Sequence, residues 1–479
     1  MFQKEGAKRS SQMLRQAPVL ITLGVTSFVL LWHTLRRLTQ VPTFARNTPL
    51  SRSFSPLFWN DAGSSAGSGG EDALRLRGNG SRPRGGAAYS SFVCAGGSQT
   101  FENMELMKTH LPHWPEAEDA VARVCVLRDV CWRGGRVEFY EDPTAATPAS
   151  ARMASFEKAG LVVAGYLDYF DVPWVVRDRP ILWAPRVMHE PVPANLPYSE
   201  LPVSILDKLS VSTNYAHLLV DNLWGGHMAS LMFDFDIEDA QLVGLEPCGT
   251  SPHMGPSDAE DCRVNLEKWV PVFYSHTYKM LTSTPTASGE CFSSLIVGAG
   301  PAFSLKSLHI LRGAVMRQVR RVAHTHLGIV LEPLQQHRIL VVQKQPGVRK
   351  PRYAELCRDV KSFASRTLPP IDVRCMAFSK ATSVREQISE VVSASVFVSE
   401  HGSVGYISRL GRPGMTGLYI GEDPPQEMYD AQVYLHDTDI LSFYMSSSGS
   451  RRRELPEMLL LALSHAANNL GLPVPLLLF

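Results

Sequence analysis

Residues 211–227 carry three polar side chains whose types and spacing could do chemistry. Asn214, His217 and Asp221 fall at positions i, i+3 and i+7, so an α-helix would place all three on one face. A carboxylate four residues from a histidine orients the imidazole and raises its basicity, which suits a general base. The same face could bind hydroxyl groups of a ligand. A polar face that is satisfied within the core is the alternative, and it is the interpretation that this stretch favours when taken alone.

Residues 393–414 form a second stretch, which could bind an anion. The apolar run 396–398 predicts a buried strand, the glycines after it predict a loop, and the remainder predicts a short helix. Free N–H groups and the helix dipole at such a junction attract negative charge. Gly402 allows the backbone to approach a phosphate closely, and His401 can donate a hydrogen bond to it. An ordinary turn of an α/β sheet is the alternative.

The C-terminal third of the chain alternates predicted strands and helices, which is typical of a parallel sheet with crossover helices. Lys344 and Arg349 follow the first of these strands, where cations suit an anionic ligand. An exposed basic loop would look the same. The predicted strands are residues 339–343, 371–376, 396–398 and 417–420, and the predicted helices are residues 352–366 and 383–392.

Residues 124–140 predict a β-hairpin, because two apolar strands flank Arg133-Gly134-Gly135. Cys125 and Cys131 lie at its edge and are disulfide candidates. The chain has eight cysteines, an even number that permits disulfides in an oxidising compartment, although the sequence does not fix their pairing. Buried reduced thiols are the alternative.

Asp234 and Asp236 form an Asp-x-Asp pair, which can hold Mn²⁺ or Mg²⁺ between the oxygens of a diphosphate. Here the pair ends a predicted helix, with Glu238 and Asp239 beside it. We therefore interpret it as a solvated helix end that leads into a strand at residues 241–245. A divalent-metal site is the minority interpretation.

The N-terminus predicts a membrane anchor. Basic residues precede an apolar run at residues 17–32, and three further residues extend it to a span of 17–35. The charge distribution places residues 1–16 in the cytosol and the rest in the lumen; an organellar transit peptide is the alternative. Residues 36–90 are rich in Pro, Ser, Gly and Arg and predict a disordered stem, with a glycosylation acceptor at Asn79.

Length and charge limit the class of protein. A chain of 479 residues predicts about two to three domains. Its 47 Lys and Arg balance 46 Asp and Glu, for a net charge of +1, and no basic stripe is interleaved with aromatic residues. These features argue against a nucleic-acid partner.

Four segments together resemble glycosyltransferase family 61, which includes plant β-1,2-xylosyltransferases and animal O-linked GlcNAc transferases of the endoplasmic reticulum. They are VCVLRDVC at residues 124–131, NYAHLLVDNL at 214–223, RILVVQKQPGVR at 338–349 and SVREQISEVVSASVFVSEHGSVGYISRL at 383–410. They occur in the family's order, and the resemblance covers roughly residues 120–425.

The family pattern near the end is a glutamine on a helix, a strand, and then His-Gly-Ala-Gly. This chain has Gln387 and His401-Gly402, with Ser403 in place of the alanine and Val404 in place of the second glycine. Lys344 stands where the family has an arginine. The resemblance implies substrate or donor binding by Asn214, Lys344, Arg349, Gln387, Glu400, His401, Gly402 and Ser403.

The resemblance implies an α/β fold of the GT-B type, in which two Rossmann-like domains face each other across a cleft. Residues 91–330 would form the acceptor-side domain and residues 331–479 the nucleotide-sugar-binding domain. The implied activity is inverting transfer of xylose, GlcNAc or arabinose from a nucleotide sugar, with a UDP-sugar preferred, to a hydroxyl of a glycan or glycoprotein. His217 or Asp221 would be the catalytic base, and no metal would be obligatory.

The implied location is the Golgi or endoplasmic reticulum membrane, with a single-pass type II anchor and a luminal catalytic domain. The altered His-Gly-Ser-Val sequence leaves a second hypothesis open. Under that hypothesis the chain is a catalytically silent lectin-like or scaffolding protein of the secretory pathway.

Overall fold

A computed structural model of the chain describes two large sheets, a short two-stranded sheet and the helices that pack against them. The described residues belong to one compact unit, Phe58–Phe479. They are 89–95, 124–144, 185–207, 215–244, 248, 256–281, 289–299, 309–343, 353–378, 382–421, 437, 439–446 and 451–477. Asn79, Asn214, Lys344, Arg349, the predicted anchor and nearly all of the predicted stem therefore lie outside the described residues.

The strands are assigned in chain order. They are β1 Ser91–Ala95, β2 Val124–Arg133, β3 Arg136–Tyr140, β4 Arg186–Met188, β5 Val203–Asp207, β6 Ala240–Gly244, β7 Lys279–Met280, β8 Glu290–Val297, β9 Arg338–Val342, β10 Thr367–Leu368, β11 Asp372–Met376, β12 Val396–Glu400, β13 Thr416–Gly421, β14 Leu441–Ser446 and β15 Leu476–Leu477.

The helices are α1 Tyr215–His217, α2 Trp224–Phe233, α3 Pro256–Phe273, α4 His309–Leu327, α5 Leu356–Ala364, α6 Val384–Val392, α7 Ser403–Ile407 and α8 Leu455–Leu470. A π-helix, Leu218–Leu223, joins α1 to α2, and 3₁₀ helices occupy Ile237–Asp239, Ser408–Leu410 and Arg451–Glu454. Within the described part of the chain, no helix is both long and apolar enough to cross a bilayer.

The first sheet is mixed. Its strands run in the order β4-β3-β2-β8-β5-β6-β7, with β1 beside β2. Strands β8, β5, β6 and β7 pair in parallel, whereas β2 pairs antiparallel with β3 and β8. The predicted hairpin is confirmed: Gly134 and Gly135 both have positive φ, 61° and 79°, at the turn between β2 and β3. A two-residue turn of that kind favours glycine.

The second sheet is fully parallel, with the order β11-β9-β12-β13-β14. Numbered by their position along the chain, these strands run 2-1-3-4-5, the order of a doubly wound sheet. All four strands predicted in this region are confirmed, with ends that shift by one or two residues. Helix α6 begins at a capping box, because the Ser383 side chain accepts a hydrogen bond from the Glu386 N–H.

Both faces of the second sheet are covered, which is why its central strands read as unbroken apolar runs. Alternate residues point to opposite faces. Ile339 and Val341 pack in one core with α5 and α8. Leu340 and Phe397 belong to the other core, which also contains Ile205 of the first sheet. A single apolar core therefore runs from one sheet to the other, and the predicted boundary at residues 330/331 falls between α4 and β9.

Helix α4 is held by both halves of the molecule. Gln318 Nε2 donates to Ser230 Oγ on α2 at 2.8 Å. On the other side, Arg320 Nε donates to the Arg409 carbonyl at 3.1 Å, and His324 Nε2 lies 2.7 Å from the Leu410 carbonyl. These contacts fix the 3₁₀ helix after α7 against the helices of the first sheet.

Disulfides join cysteines that are far apart in the sequence or on neighbouring parts of the fold. They include Cys131–Cys291, Cys248–Cys262 and Cys357–Cys375. Cys125 is also disulfide-bonded, so both candidates form disulfides, but Cys131 pairs with β8 and not with Cys125. Strands β2 and β8 are adjacent, and Cys131 lies opposite Cys291 in their register. This pairing depends on sheet order, which spacing in the sequence does not reveal.

Candidate functional site

The candidate site lies at the carboxyl ends of β9 and β12. Strand β9 has β11 on one side and β12 on the other, so the connections leave these two central strands in opposite directions. In open α/β sheets such a reversal opens a crevice outside the carboxyl ends of the two strands, and ligands bind there. Gln343 follows β9, while Glu400 ends β12 and His401 follows it.

Glu400 links two segments of the chain beside this crevice. Its side chain is buried, and Oε1 accepts a hydrogen bond from the Tyr353 N–H at 2.8 Å. Tyr353 is the first described residue after the segment that follows β9. The Glu400 carboxylate therefore holds the returning end of that segment at the carboxyl end of β12. This contact gives Glu400 a positioning role.

His401 is also nearly enclosed, at 8% exposed. Its backbone N–H donates to the Ile420 carbonyl at 2.8 Å and so extends the pairing of β12 with β13. Its ring meets the Tyr444 ring edge-on at 6.1 Å between centroids. The imidazole therefore lies on the β14 side of β12, just beyond the carboxyl end of that strand.

Gly402 turns the chain into α7. It has φ 130° and ψ −165°, a backbone conformation that residues other than glycine rarely adopt. The Gly402 carbonyl accepts from the Gly405 N–H at 2.8 Å, and Ser403 is the first residue of α7. The glycine at this position is required by the backbone, whatever the loop binds.

Gln387 lies on α6, which packs against α7 and the 3₁₀ helix that follows it. Its side chain is buried, and Nε2 donates to the Thr382 carbonyl at 2.9 Å. Helix α6 connects β11 to β12, so its first turns lie on the carboxyl-end side of the sheet. Gln387 therefore stands on the element next to the loop that contains His401.

The first half of the chain reaches the same region. Helix α1 packs against α7, and the Trp224 and Tyr406 rings lie 6.4 Å apart. The stretch that contains His217 and Asp221 thus lies alongside the helix that follows Gly402. The side chains of His217 and Asp221 are outside the described part of the structure, and only their backbone is placed.

The expected alignment of Asn214, His217 and Asp221 on one helical face stays a prediction, because the described part of the structure includes neither Asn214 nor the side chains of the other two. It assumed an α-helix, whereas Leu218–Leu223 is π-helical. A π-turn holds more residues than an α-turn, so residues after His217 are rotated from the positions that α-helical spacing predicts. Leu218, Leu219 and Leu223 are fully buried, and Asn222 is 1% exposed. Turns of this type occur often at functional sites.

A buried aspartate was missed by the sequence analysis. Asp207 ends β5 and is 2% exposed, and its Oδ1 accepts from Asn222 Nδ2 of the π-helix at 2.8 Å. Nearby, Tyr274 donates to the Leu223 carbonyl at 2.8 Å. Burial raises the pKa of Tyr274, and the charge of Asp207 raises it further. Asp207 and Tyr274 together hold the π-helix against the carboxyl edge of the first sheet.

Asp234 and Asp236 act as helix ends, as predicted. Asp234 is the left-handed residue at the end of α2, and Asp236 Oδ1 accepts from the Glu238 N–H at 3.1 Å. The strand that follows starts at Ala240, one residue earlier than predicted. Among the described residues, no three His, Cys, Asp or Glu side chains are grouped as metal ligands would be.

A comparison with models of known protein families finds no match, and neither does a comparison with curated protein sequences. The chain's own motifs and geometry therefore carry the functional proposal.

Proposed function

We propose that this chain is an inverting glycosyltransferase that binds a nucleotide sugar at the crevice between β9 and β12. The observation that carries the proposal is the reversal of strand order at these two strands, with His401 and Gly402 at the carboxyl end of one of them. The packing of α1 against α7 supports it, because acceptor and donor groups must meet. The four-segment resemblance to glycosyltransferase family 61 supplies the substrate class.

In the proposed reaction a base removes the proton from an acceptor hydroxyl. The hydroxyl oxygen attacks the anomeric carbon from the face opposite the leaving group, and the bond to the diphosphate oxygen breaks with its electron pair. His217 or Asp221 would be the base, and general-base catalysis contributes roughly 10²–10⁴-fold. Asp207 and Asn222 would position that base by fixing the π-helix to β5.

The departing diphosphate would be stabilised by cations and N–H donors rather than by an obligatory divalent metal. Lys344 and Arg349 follow β9 in the sequence, and His401, Gly402 and Ser403 follow β12. Preorganised donors of this kind stabilise charge that develops in the transition state. Turnover that survives chelation would support this arrangement; complete loss restored by Mn²⁺ would assign the Asp234 and Asp236 pair a metal role.

We further propose a GT-B arrangement, in which the first sheet carries the acceptor side and the second sheet binds the donor. The N-terminal apolar run would anchor the chain as a type II protein in the Golgi or endoplasmic reticulum membrane. Disulfides support a luminal location, because the cytosol keeps most thiols reduced. The acceptor would be a glycan or glycoprotein.

Nucleotide release tests the proposal. The purified full-length chain is incubated with UDP- and GDP-sugars, and free UDP or GDP is measured with and without candidate acceptors. We expect one donor to be consumed by the wild type and not by His401→Ala. Binding of a donor without release, for every acceptor tried, would favour the silent lectin-like hypothesis. Absence of both binding and release would overturn the proposed function.

A further inference from the structure

A groove lies at the opposite end of the second sheet from His401. It is lined by the segment 328–334, which connects α4 to β9, and by one side of α6 from Arg385 in its first turn to Val392 at its end. Its volume is about 380 Å³, within the usual range for small-molecule sites. Ile329, Pro333, Leu334 and Val392 supply its apolar lining.

Two arginines give the groove a positive charge. Arg412 is 8% exposed, with Nη1 bonded to the Glu332 carbonyl at 2.9 Å and Nε bonded to the Val392 carbonyl. Among the described residues, no carboxylate forms an ion pair with Arg412. A guanidinium that is buried against carbonyl groups alone keeps its full charge and favours an anion.

Arg385 stands on the other side of the groove. It is exposed on α6, and its Nη2 lies 4.0 Å from the position that a Cβ would occupy at Gly328. No ion pair engages it within the described part of the chain. Among the described residues of the lining, Glu332 is the only acidic one, against the two arginines Arg385 and Arg412.

We propose that this groove binds a small organic anion, with the two guanidinium groups holding its phosphate or carboxylate and the apolar residues covering its body. Arginine forms paired hydrogen bonds with either group. The site is distinct from the crevice between β9 and β12, because it lies where those strands begin. Its occupant contacts the segment that joins the two sheets.

Calorimetric titration of the full-length chain tests this site. The probes are phenyl phosphate, phenylacetate and phenol at constant ionic strength. We expect the anions to bind and phenol not to bind, and the tighter anion identifies the head group. Arg385→Gln should weaken binding about tenfold, because it removes one charge-assisted hydrogen-bonding partner.

Arg321→Gln is the matched control, since Arg321 is also an exposed helical arginine but lies outside the groove. It should bind the anions as the wild type does, and unfolding midpoints without ligand should be equal for both variants. Equal weakening in both variants would reveal a general charge effect and overturn the proposal. Binding that survives Arg385→Gln, or no binding to the wild type, would overturn it as well.

Discussion

The buried carboxylate of Asp437 should be essential for the junction between α4 and the second sheet. Its Oδ2 accepts from Arg320 Nη2 at 2.6 Å and lies 3.7 Å from Arg409 Nη1. The side chains of Arg320 and Arg409 are 3% and 0% exposed, so their charges depend on protein partners. Replacing Asp437 by asparagine keeps the volume and removes the charge between two guanidinium groups.

Removing one partner of a buried ion pair costs about 3–5 kcal/mol, because the remaining charge stays desolvated. We expect Asp437→Asn to lower the free energy of unfolding by that amount. Asp439 is the matched control: its side chain is 23% exposed and its Oδ2 lies 3.0 Å from Arg320 Nη1. Asp439→Asn should cost only about 1 kcal/mol, since water solvates part of that pair.

Urea unfolding followed by tryptophan fluorescence measures both variants. The double variant Asp437→Asn/Arg320→Met should lose less stability than the sum of its single variants, because Asp437 and Arg320 contact each other directly and each single variant already removes that contact. Equal losses of unfolding free energy in Asp437→Asn and Asp439→Asn would show that burial of the carboxylate does not determine the cost of removing its charge.

Three further predictions concern the backbone turn, a buried histidine and a disulfide. Gly402→Ala should cost about 1–3 kcal/mol, because φ 130° excludes a side chain, whereas Ser403→Ala should cost little in the same urea assay. Burial lowers the pKa of His227 to about 3, so the unfolded chain binds a proton below about pH 6.5 that the folded chain does not. The free energy of unfolding should therefore decrease as the pH is lowered below 6.5. Between pH 6.5 and 5 the free energy of unfolding should fall by about 2 kcal/mol in the wild type, and this loss should be absent from His227→Phe. An equal dependence of unfolding free energy on pH in the two proteins would contradict this assignment. Replacing Cys357 and Cys375 together by serine should cost about 3 kcal/mol by chain entropy, since the bond closes a loop of 18 residues, and a loss below 1 kcal/mol would contradict it.

Much of the second sheet could be predicted from local sequence. Its central strands are short apolar runs bounded by glycine or polar residues, and α6 starts at a serine that is followed three residues later by glutamate. Such signals lie within a few residues and do not depend on distant contacts. Strand order, in contrast, is a property of the whole sheet, and the crevice between β9 and β12 follows from that order.

The site in the first half was harder to predict. The π-helix Leu218–Leu223 has the same apolar spacing as an α-helix over one turn, so periodicity alone does not identify it. Asp207 was missed because its strand, Val203–Asp207, was not recognised, although an aspartate directly after the apolar Ile205-Leu206 was the available signal. Its partner, Asn222, lies 15 residues away, and only the fold brings the two together.

Photolabelling shows whether a nucleotide sugar binds at the crevice between β9 and β12. A photoreactive UDP-sugar analogue is bound to the full-length chain, irradiated, and located by peptide mapping, with excess unlabelled donor as competitor. We expect competed labelling in the peptide that spans Glu400–Gly405 or in the segment after β9. Labelling confined to the opposite end of the second sheet, or none that the donor competes, would contradict it.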